Sequence, residues 1–301
     1  PDVFCAALLN SQPMGFYAAA QLVRDARDHG VEVLPMDVNF SDWDATLEPA
    51  GKSDYYALRL GLRMAAGLPE KDGRAVVEVR GSGYRSPGEI AMRVGCASVT
   101  LNRLAQADAF ASMKLQRRQA LWEVSALDGK MPPLFRGAQQ HLFEEPETCL
   151  PTATPGQDVV QDYQSTGLSL RSHPMRFLRS RLRARRVITA MDVRQSPNNK
   201  MVIVAGLVLF RQQPLTAKGT IFLTIEDETG AVNLIVWKDV QLKYRRAVYT
   251  GKLLACRGAI QREGQVLHVV ARSIWDWSDQ LCYLQEEKKA AALPVRSRDF
   301  R

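Results

Sequence analysis

Metal-assisted transfer at a phosphate needs carboxylates clustered on a rigid scaffold, and the one close candidate here is Asp42-Trp43-Asp44. That triplet sits in a polar, turn-like stretch with no strand pattern around it, so a solvated loop is its expected setting. The five cysteines (Cys5, Cys96, Cys149, Cys256, Cys282) are odd in number, far apart and in no C-x-x-C pair. They point to neither a disulfide framework nor a zinc site. His29, His141, His173 and His268 are equally scattered, and a lone histidine is more often structural than a ligand. No P-loop, G-x-S-x-G elbow or H-E-x-x-H string occurs. The expected catalytic residues and the expected metal ligands in this chain are therefore none.

What the residues can do is bind a polyanion. The chain carries a formal charge of +8 and a pI near 9.4, and the excess is localised. Residues 165–211 hold ten Lys or Arg against one acid, Asp192, whereas residues 144–164 hold five acids and no Lys or Arg. In the basic run, Arg176, Arg179, Arg181, Arg183, Arg185 and Arg186 alternate with Met175, Phe177, Leu178 and Leu182. On a helix these arginines would cover most of the circumference, which suits phosphate neutralisation better than a plain solvated face. Contact with an acidic partner would carry the same signature.

The elements that must position these charges change character along the chain. With 301 residues and 46% hydrophobic content, two or three modest domains can bury cores of their own. Residues 1–49 read as helix, loop, helix, strand. A chain opening directly into an apolar helix, without a start methionine or leader, looks cut from something longer. Residues 50–127 read as short helices joined by tight turns. Ser86-Pro87-Gly88-Glu89 is the firmest helix start among them, with Ser86 as cap and Glu89 reaching back. Residues 128–165, rich in Pro, Thr and acids, read as a linker, 166–200 as a basic helical connector, and 278–301 as a tail. Residues 201–277 change period: five β-rich runs at 201–210, 220–226, 232–237, 253–260 and 266–275, with a helix-compatible stretch at 239–249 after the third. Five strands with a helix between the third and fourth is the OB-fold pattern. The expected class is thus α+β and multidomain. No stretch approaches the roughly 20 apolar residues of a membrane span, and a cytoplasmic location is expected.

Two turns in the helical region could be helix-hairpin-helix sites, where a small-residue turn lets main-chain N–H groups approach a phosphate regardless of sequence. The first is Ala66-Gly67-Leu68-Pro69, with Lys71 and Arg74 beyond it; the second runs from Ala107 through Phe110 and Met113 to Arg117 and Arg118. An ordinary helical subdomain with solvated charges would share this pattern. In the OB region, Trp237, Lys238, Tyr244, Arg245, Arg246, Arg211 and Lys218 could line a single-strand groove. For Phe222, Leu223, Val236 and Trp237 the core is the expected place.

Several strings together resemble the bacterial C-family polymerase III alpha subunit in its error-prone form. Ala6-Ala7-Leu8-Leu9-Asn10-Ser11-Gln12-Pro13-Met14-Gly15-Phe16-Tyr17, with His29-Gly30-Val31-Glu32-Val33 and Asp37-Val38-Asn39, is similar to the end of that family's fingers region. Leu104-Ala105-Gln106-Ala107-Asp108-Ala109-Phe110 with Arg117-Arg118-Gln119-Ala120-Leu121-Trp122 resembles its second hairpin. Thr216-Ala217-Lys218-Gly219, Glu226-Asp227-Glu228-Thr229-Gly230 and Asn233-Leu234-Ile235-Val236-Trp237 resemble its OB domain. Ser297-Arg298-Asp299-Phe300-Arg301 looks like the end of the error-prone branch. One departure is Lys114, where the family's second hairpin usually has a glycine. Gln139-Gln140-His141-Leu142-Phe143 resembles a sliding-clamp-binding peptide, with Gln139, Leu142 and Phe143 as anchors, although simple packing of the linker would use the same residues.

The resemblance implies a whole protein that copies DNA past lesions with magnesium held by carboxylates outside this chain, and no cofactor within it. It implies DNA as partner, both duplex and template single strand, together with the clamp and accessory translesion proteins. The expected DNA contacts are Gly67, Lys71, Arg74, Lys114, Arg117, Arg118, Arg176, Arg179, Arg181, Arg183, Arg185, Arg186, Arg211 and Lys218. The alternatives are a free-standing DNA-repair accessory protein of hairpin and OB units, and an RNA-binding OB protein of the synthetase type.

Overall fold

A computed structural model describes residues 1–13, 17–51, 54–127, 150–217, 219–264, 266–284 and 298–300. The chain forms two compact units, the first of Pro1–Ala153 with Gln161–Leu170, the second of Thr154–Val160 with Arg171–Arg301.

The first unit begins with α1 (Asp2–Asn10) and α2 (Ala19–Asp28), followed by β1 (Val33–Leu34), β2 (Thr46–Glu48) and β3 (Ala57–Arg59). These strands form a small sheet in the order β1-β3-β2, β3 running parallel to β1 and antiparallel to β2. Asn10 ties the end of α1 to the sheet: its Nδ2 donates to Ala45 O at 2.9 Å and its Oδ1 accepts from Ala45 N at 2.7 Å. Then come α3 (Glu70–Glu78), α4 (Pro87–Val94), α5 (Ser98–Gln106) and α6 (Arg117–Leu127). Ser86 caps α4 as its sequence predicts, accepting from Glu89 N at 3.2 Å, but the Glu89 carboxylate reaches one residue further back and accepts from Arg85 N at 2.8 Å. Leu9, Val23, Val38 and Leu58 share one core with Ile90, Leu101, Leu104, Phe110 and Val124. A division at 49/50 would cut through this apolar cluster, so the N-terminal segment and the hairpin region are physically one body.

The segment read as a linker ends in a helix, α7 (Pro155–Thr166). Thr154 and Gln157 form its start reciprocally, Thr154 N donating to Gln157 Oε1 at 3.0 Å and Gln157 N to Thr154 Oγ1 at 3.3 Å, with Pro155 in the first turn, where a missing N–H costs nothing. Proline and threonine there are start signals, not loop signals.

The second unit is built on a closed barrel. Its strands are β4 (Met201–Gln212), β5 (Ile221–Asp227), β6 (Gly230–Val236), β7 (Leu253–Glu263) and β8 (Val266–Asp276), with α10 (Lys238–Lys243) and α11 (Arg245–Thr250) between β6 and β7. The order β4-β5-β6-β8-β7 returns to β4, and β6 and β8 are parallel. This is the OB-fold expected from the five runs. Alternation makes it: Ile221, Leu223 and Ile225 point inward opposite Val236, Leu234 and Val232, while Thr224 and Asn233 face outward. A Cβ on Gly206 would lie 2.7 Å from Glu226 O; glycine there lets β4 pass from pairing with β7 to pairing with β5.

The basic connector belongs to this unit. In it, α8 (Pro174–Ala184) packs Met175, Leu178 and Leu182 inward and touches β4, β5 and the 3-10 helix Ser278–Leu284. Next, α9 (Ala190–Gln195) is capped by Thr189, whose Oγ1 accepts from Asp192 N at 3.1 Å. The tail is likewise structured in part: Leu281 and Leu284 are buried, and β9 (Arg298–Phe300) pairs in parallel with β4.

Candidate nucleic-acid interface

The first hairpin turn follows a 3-10 helix, Leu62–Met64. Gly67 has φ +75° and is exposed, as are Lys71 and Arg74, while Leu68 is buried beneath the turn. Ala66 N donates to Ser165 O at 2.7 Å and Leu68 N to Ala65 O at 3.1 Å. The guanidinium of Arg103, on α5, lies over the turn, 3.3 Å from where a Cβ on Gly67 would stand. Nothing in the sequence linked Arg103 to this turn; only the packing of α5 does. The first turn of α3 carries Glu70 and Asp72, which offset the positive end of the helix dipole. Glu70 also pairs with Arg74 at 2.8 Å. Positive charge at this hairpin therefore comes from Lys71 and Arg103.

The second hairpin passes through a left-handed Asp108 (φ 59°), a 3-10 helix at Ala111–Met113 and a left-handed Lys114 (φ 59°) before α6. A lysine thus occupies the backbone conformation that favours glycine, and it is exposed. The first turn of α6 has no acid. This hairpin is held from below by the segment Asp37-Val38-Asn39. The buried Asp37 carboxylate accepts from Ser112 N at 2.8 Å and Ser112 Oγ at 2.6 Å, and Val38 N donates to Ala109 O at 2.9 Å. Asn39 Nδ2 donates to Ser112 Oγ at 2.8 Å and to Tyr84 O at 3.0 Å.

Three expected contacts, Arg117, Arg179 and Arg211, are internal supports instead. Arg117 is 5% exposed; its guanidinium is bound by Asp162, donates to Gln161 Oε1 at 3.2 Å and lies 3.9 Å from Asp108. Its neighbour Arg118 is half-buried and donates to Pro151 O at 2.8 Å. Arg179 is 7% exposed and bridges Asp227 at 3.0 Å and Glu228 at 2.5 Å. Burial alone would raise the Glu228 carboxyl and lower the Arg179 guanidinium, but their hydrogen bond and mutual charge reverse both, holding Glu228 below the carboxylate range and Arg179 above its own. Arg211, also 7% exposed, donates to Val248 O at 2.8 Å and to Gly251 O, closing the end of α11. In each case a buried charge needs a partner.

The other arginines of the basic run, Arg176, Arg181, Arg183, Arg185 and Arg186, are exposed. Arg181 stacks on Tyr283 at 3.6 Å and Arg185 on Trp277 at 4.9 Å. On the barrel, Trp237 is 50% exposed rather than core; it precedes α10 as its N-cap and points away from the interior that Val236 fills. Arg245 and Arg246, both exposed, line a cleft with Gln213, Pro214 and Tyr249. Lys218, Gln139, Leu142 and Phe143 lie outside the described residues. Asp42 and Asp44 do not converge: Asp42 lies 3.4 Å from Arg80 and Asp44 pairs with Arg63 at 2.6 Å. Among the described residues no group of three or more His, Cys, Asp or Glu is placed to hold a metal ion, and none is long and apolar enough in helix to cross a membrane.

Comparison with known proteins accords with this geometry. Residues 30–120 match the family described as helix-hairpin-helix motif, and residues 202–276 match the OB-fold nucleic acid binding domain family. The chain is 46% identical to error-prone DNA polymerase 1 of Rhizobium meliloti over 96% of its own length and 28% of that protein's. It is 47% identical to error-prone DNA polymerase 3 of Agrobacterium fabrum (98% and 28%) and 46% identical to the error-prone DNA polymerase of Caulobacter vibrioides (100% and 30%). The chain spans under a third of the length of these relatives, and over nearly all of its own length it is homologous to a segment of these error-prone DNA polymerases, with a helix-hairpin-helix region followed by an OB-fold.

Proposed function

We propose that this chain is the DNA-holding, non-catalytic part of an error-prone DNA polymerase, and that it grips the phosphate backbone without reading sequence. The observation that carries this is the second hairpin: an exposed left-handed Lys114, an acid-free first turn of α6, and a turn pinned rigidly through Ser112 to buried Asp37. Such a turn presents main-chain N–H groups and a lysine to one phosphate, with the helix dipole behind them. The first hairpin adds Gly67, Lys71 and Arg103, and the exposed arginines of α8 add charge in the second unit. The barrel's cleft at Arg245 and Arg246, with the exposed Trp237, suits a single strand of template.

Magnesium chemistry belongs to carboxylates elsewhere in the whole protein, since Asp42 and Asp44 are each engaged by an arginine and do not fit a metal. Gln139, Leu142 and Phe143 would tether the polymerase to its sliding clamp and so raise its effective concentration at the primer end; accessory translesion proteins are further partners. With DNA as its partner, the location proposed for the chain is the cytoplasm.

The test is a titration of the chain against two labelled duplexes of unrelated sequence across a salt series. Equal affinities and a linear fall of log affinity with log salt are expected, together with no nucleotide incorporation by the chain alone on a primed template with magnesium. A strong preference for one sequence, or an affinity indifferent to salt, refutes the reading.

A further inference from the structure

The exposed arginines of α8 are not equivalent. Arg181 lies in the last turn of α8 and Arg185, four residues on, is its C-cap, so their Cα atoms are about 6 Å apart. Each holds its guanidinium carbon over an aromatic ring from the segment after β8, Arg181 at 3.6 Å from the centroid of Tyr283 and Arg185 at 4.9 Å from that of Trp277. The segment that carries the rings is anchored: Trp277 N donates to Leu253 O at 2.9 Å, and the buried Leu281 and Leu284 hold the 3-10 helix that carries Tyr283. The acids of that segment are turned to other work. Asp276 accepts from Ser278 N at 2.9 Å, and Asp276 and Asp279 line a cleft with Lys243, Arg245 and Arg246.

A guanidinium stacked by its face keeps the donors along its edge free for oxygen acceptors, and a stacked arginine has already lost the rotamer freedom that a loose one loses on binding. We propose that Arg181 and Arg185, held by Tyr283 and Trp277, form a preorganised two-phosphate clamp for the backbone of one nucleic-acid strand. The arrangement favours this ligand: two neighbouring, held guanidinium groups suit a partner that repeats its negative charge regularly, as a strand does with a phosphate about every 3.4 Å of duplex axis. Tyr283 and Trp277 are positioning residues here, acting through the arginines. The inference rests on the reading of the chain as a DNA holder and deepens it.

The experiment uses the full chain with a labelled single-stranded oligonucleotide and, separately, a labelled hairpin duplex, each over a salt series. The double variant Arg181→Lys, Arg185→Lys keeps both charges but loses the stacked fork, and its affinity should fall about fivefold or more with the salt slope unchanged. Tyr283→Leu should weaken binding in the same manner, with thermal unfolding showing that the unit remains folded. Arg181→Ala with Arg185→Ala should instead flatten the slope by about 1.8 on the duplex and about 1.4 on the single strand. Parent-like affinity in the lysine double variant would overturn the clamp while leaving the DNA-holding reading intact, whereas absence of any binding by the parent chain would remove both. Displacement by poly-glutamate as effective as displacement by unlabelled DNA would also overturn it, assigning the row to an acidic protein.

Discussion

Replacing Arg117 by alanine separates a structural arginine from a DNA contact. The guanidinium is enclosed by Asp162, Gln161 and Asp108, and removing it leaves the Asp162 carboxylate buried. Breaking a buried pair from one side costs about 3–5 kcal/mol, because the remaining charge is uncompensated. Asp162 retains the hydrogen bond from Ser169 Oγ at 2.6 Å, so the lower end, about 3 kcal/mol, is expected. Against a domain stability of about 5–15 kcal/mol this is a large loss, and at roughly 2–4 °C per kcal/mol it lowers the first unit's melting temperature by about 6–12 °C. Urea and thermal unfolding read the loss, and DNA titration at low temperature, where the variant is still folded, reads the salt slope. The slope should match the parent's. A further Asp162→Asn change should recover part of the stability by removing the stranded charge. Destabilisation below about 1 kcal/mol combined with a slope reduced by about 0.9 would refute the argument and return Arg117 to the interface.

Other perturbations test neighbouring links. Lys114→Gly should relieve a left-handed side chain and leave stability equal or higher by up to about 1 kcal/mol, while reducing the salt slope by about 0.9; a loss of stability would show that the lysine packs rather than projects. Arg211→Met should destabilise the barrel by about 2 kcal/mol or more, since two carbonyls at the end of α11 lose a charge-assisted donor, and DNA affinity measured on folded protein should not change; a flattened slope would contradict its internal role. Glu228, with an ordinary value of 4.5, is held lower in the folded chain. Its contribution is therefore complete above about pH 4.5 and is lost as pH falls through the lower folded value. Glu228→Gln should be less stable than the parent at neutral pH and should show a shallower acid loss, and parallel pH profiles would rule this out.

The barrel was legible because β-strands with one face inward write their pattern locally: Ile221, Leu223 and Ile225 against Val232, Leu234 and Val236 alternate in the sequence as they do in space. The cap at Ser86 was legible for the same reason, since its partner is three residues away. The arginines were not. Whether Arg117, Arg179 or Arg211 meets solvent depends on Asp162, on Asp227 with Glu228, and on the carbonyls of Val248 and Gly251, all distant along the chain. Charge density is visible in a sequence, but pairing is a tertiary fact. The same blindness placed a linker where α7 stands: Asp162 reads as a solvated acid until Arg117 is seen to need it. Trp237 misled in the opposite direction, because its apolar neighbours suggested the core whereas its place after the last inward residue, Val236, turns it outward.

The internal pairs also change what the basic run can do. Of its arginines, Arg179 is neutralised by Asp227 and Glu228, and Arg211 is sealed behind α11, so neither can release a counterion from DNA. What remains on and beside α8 is Arg176, Arg181, Arg183, Arg185 and Arg186. If all five met phosphates, they would account for a salt slope of about −4.5 and no more. The string Glu226-Asp227-Glu228-Thr229-Gly230 then has a clear purpose. Asp227 accepts from Thr229 N at 2.7 Å to shape the β5–β6 turn and from Ala190 N at 2.9 Å to fix the start of α9, while its second role, with Glu228, is to receive Arg179. The barrel's turn thereby locks one arginine of α8 inward, which sets the rotation of that helix and leaves Arg181 and Arg185, two and six residues on, to face the rings of Tyr283 and Trp277. Buried charge in this unit supplies orientation, and the exposed charge it orients supplies affinity.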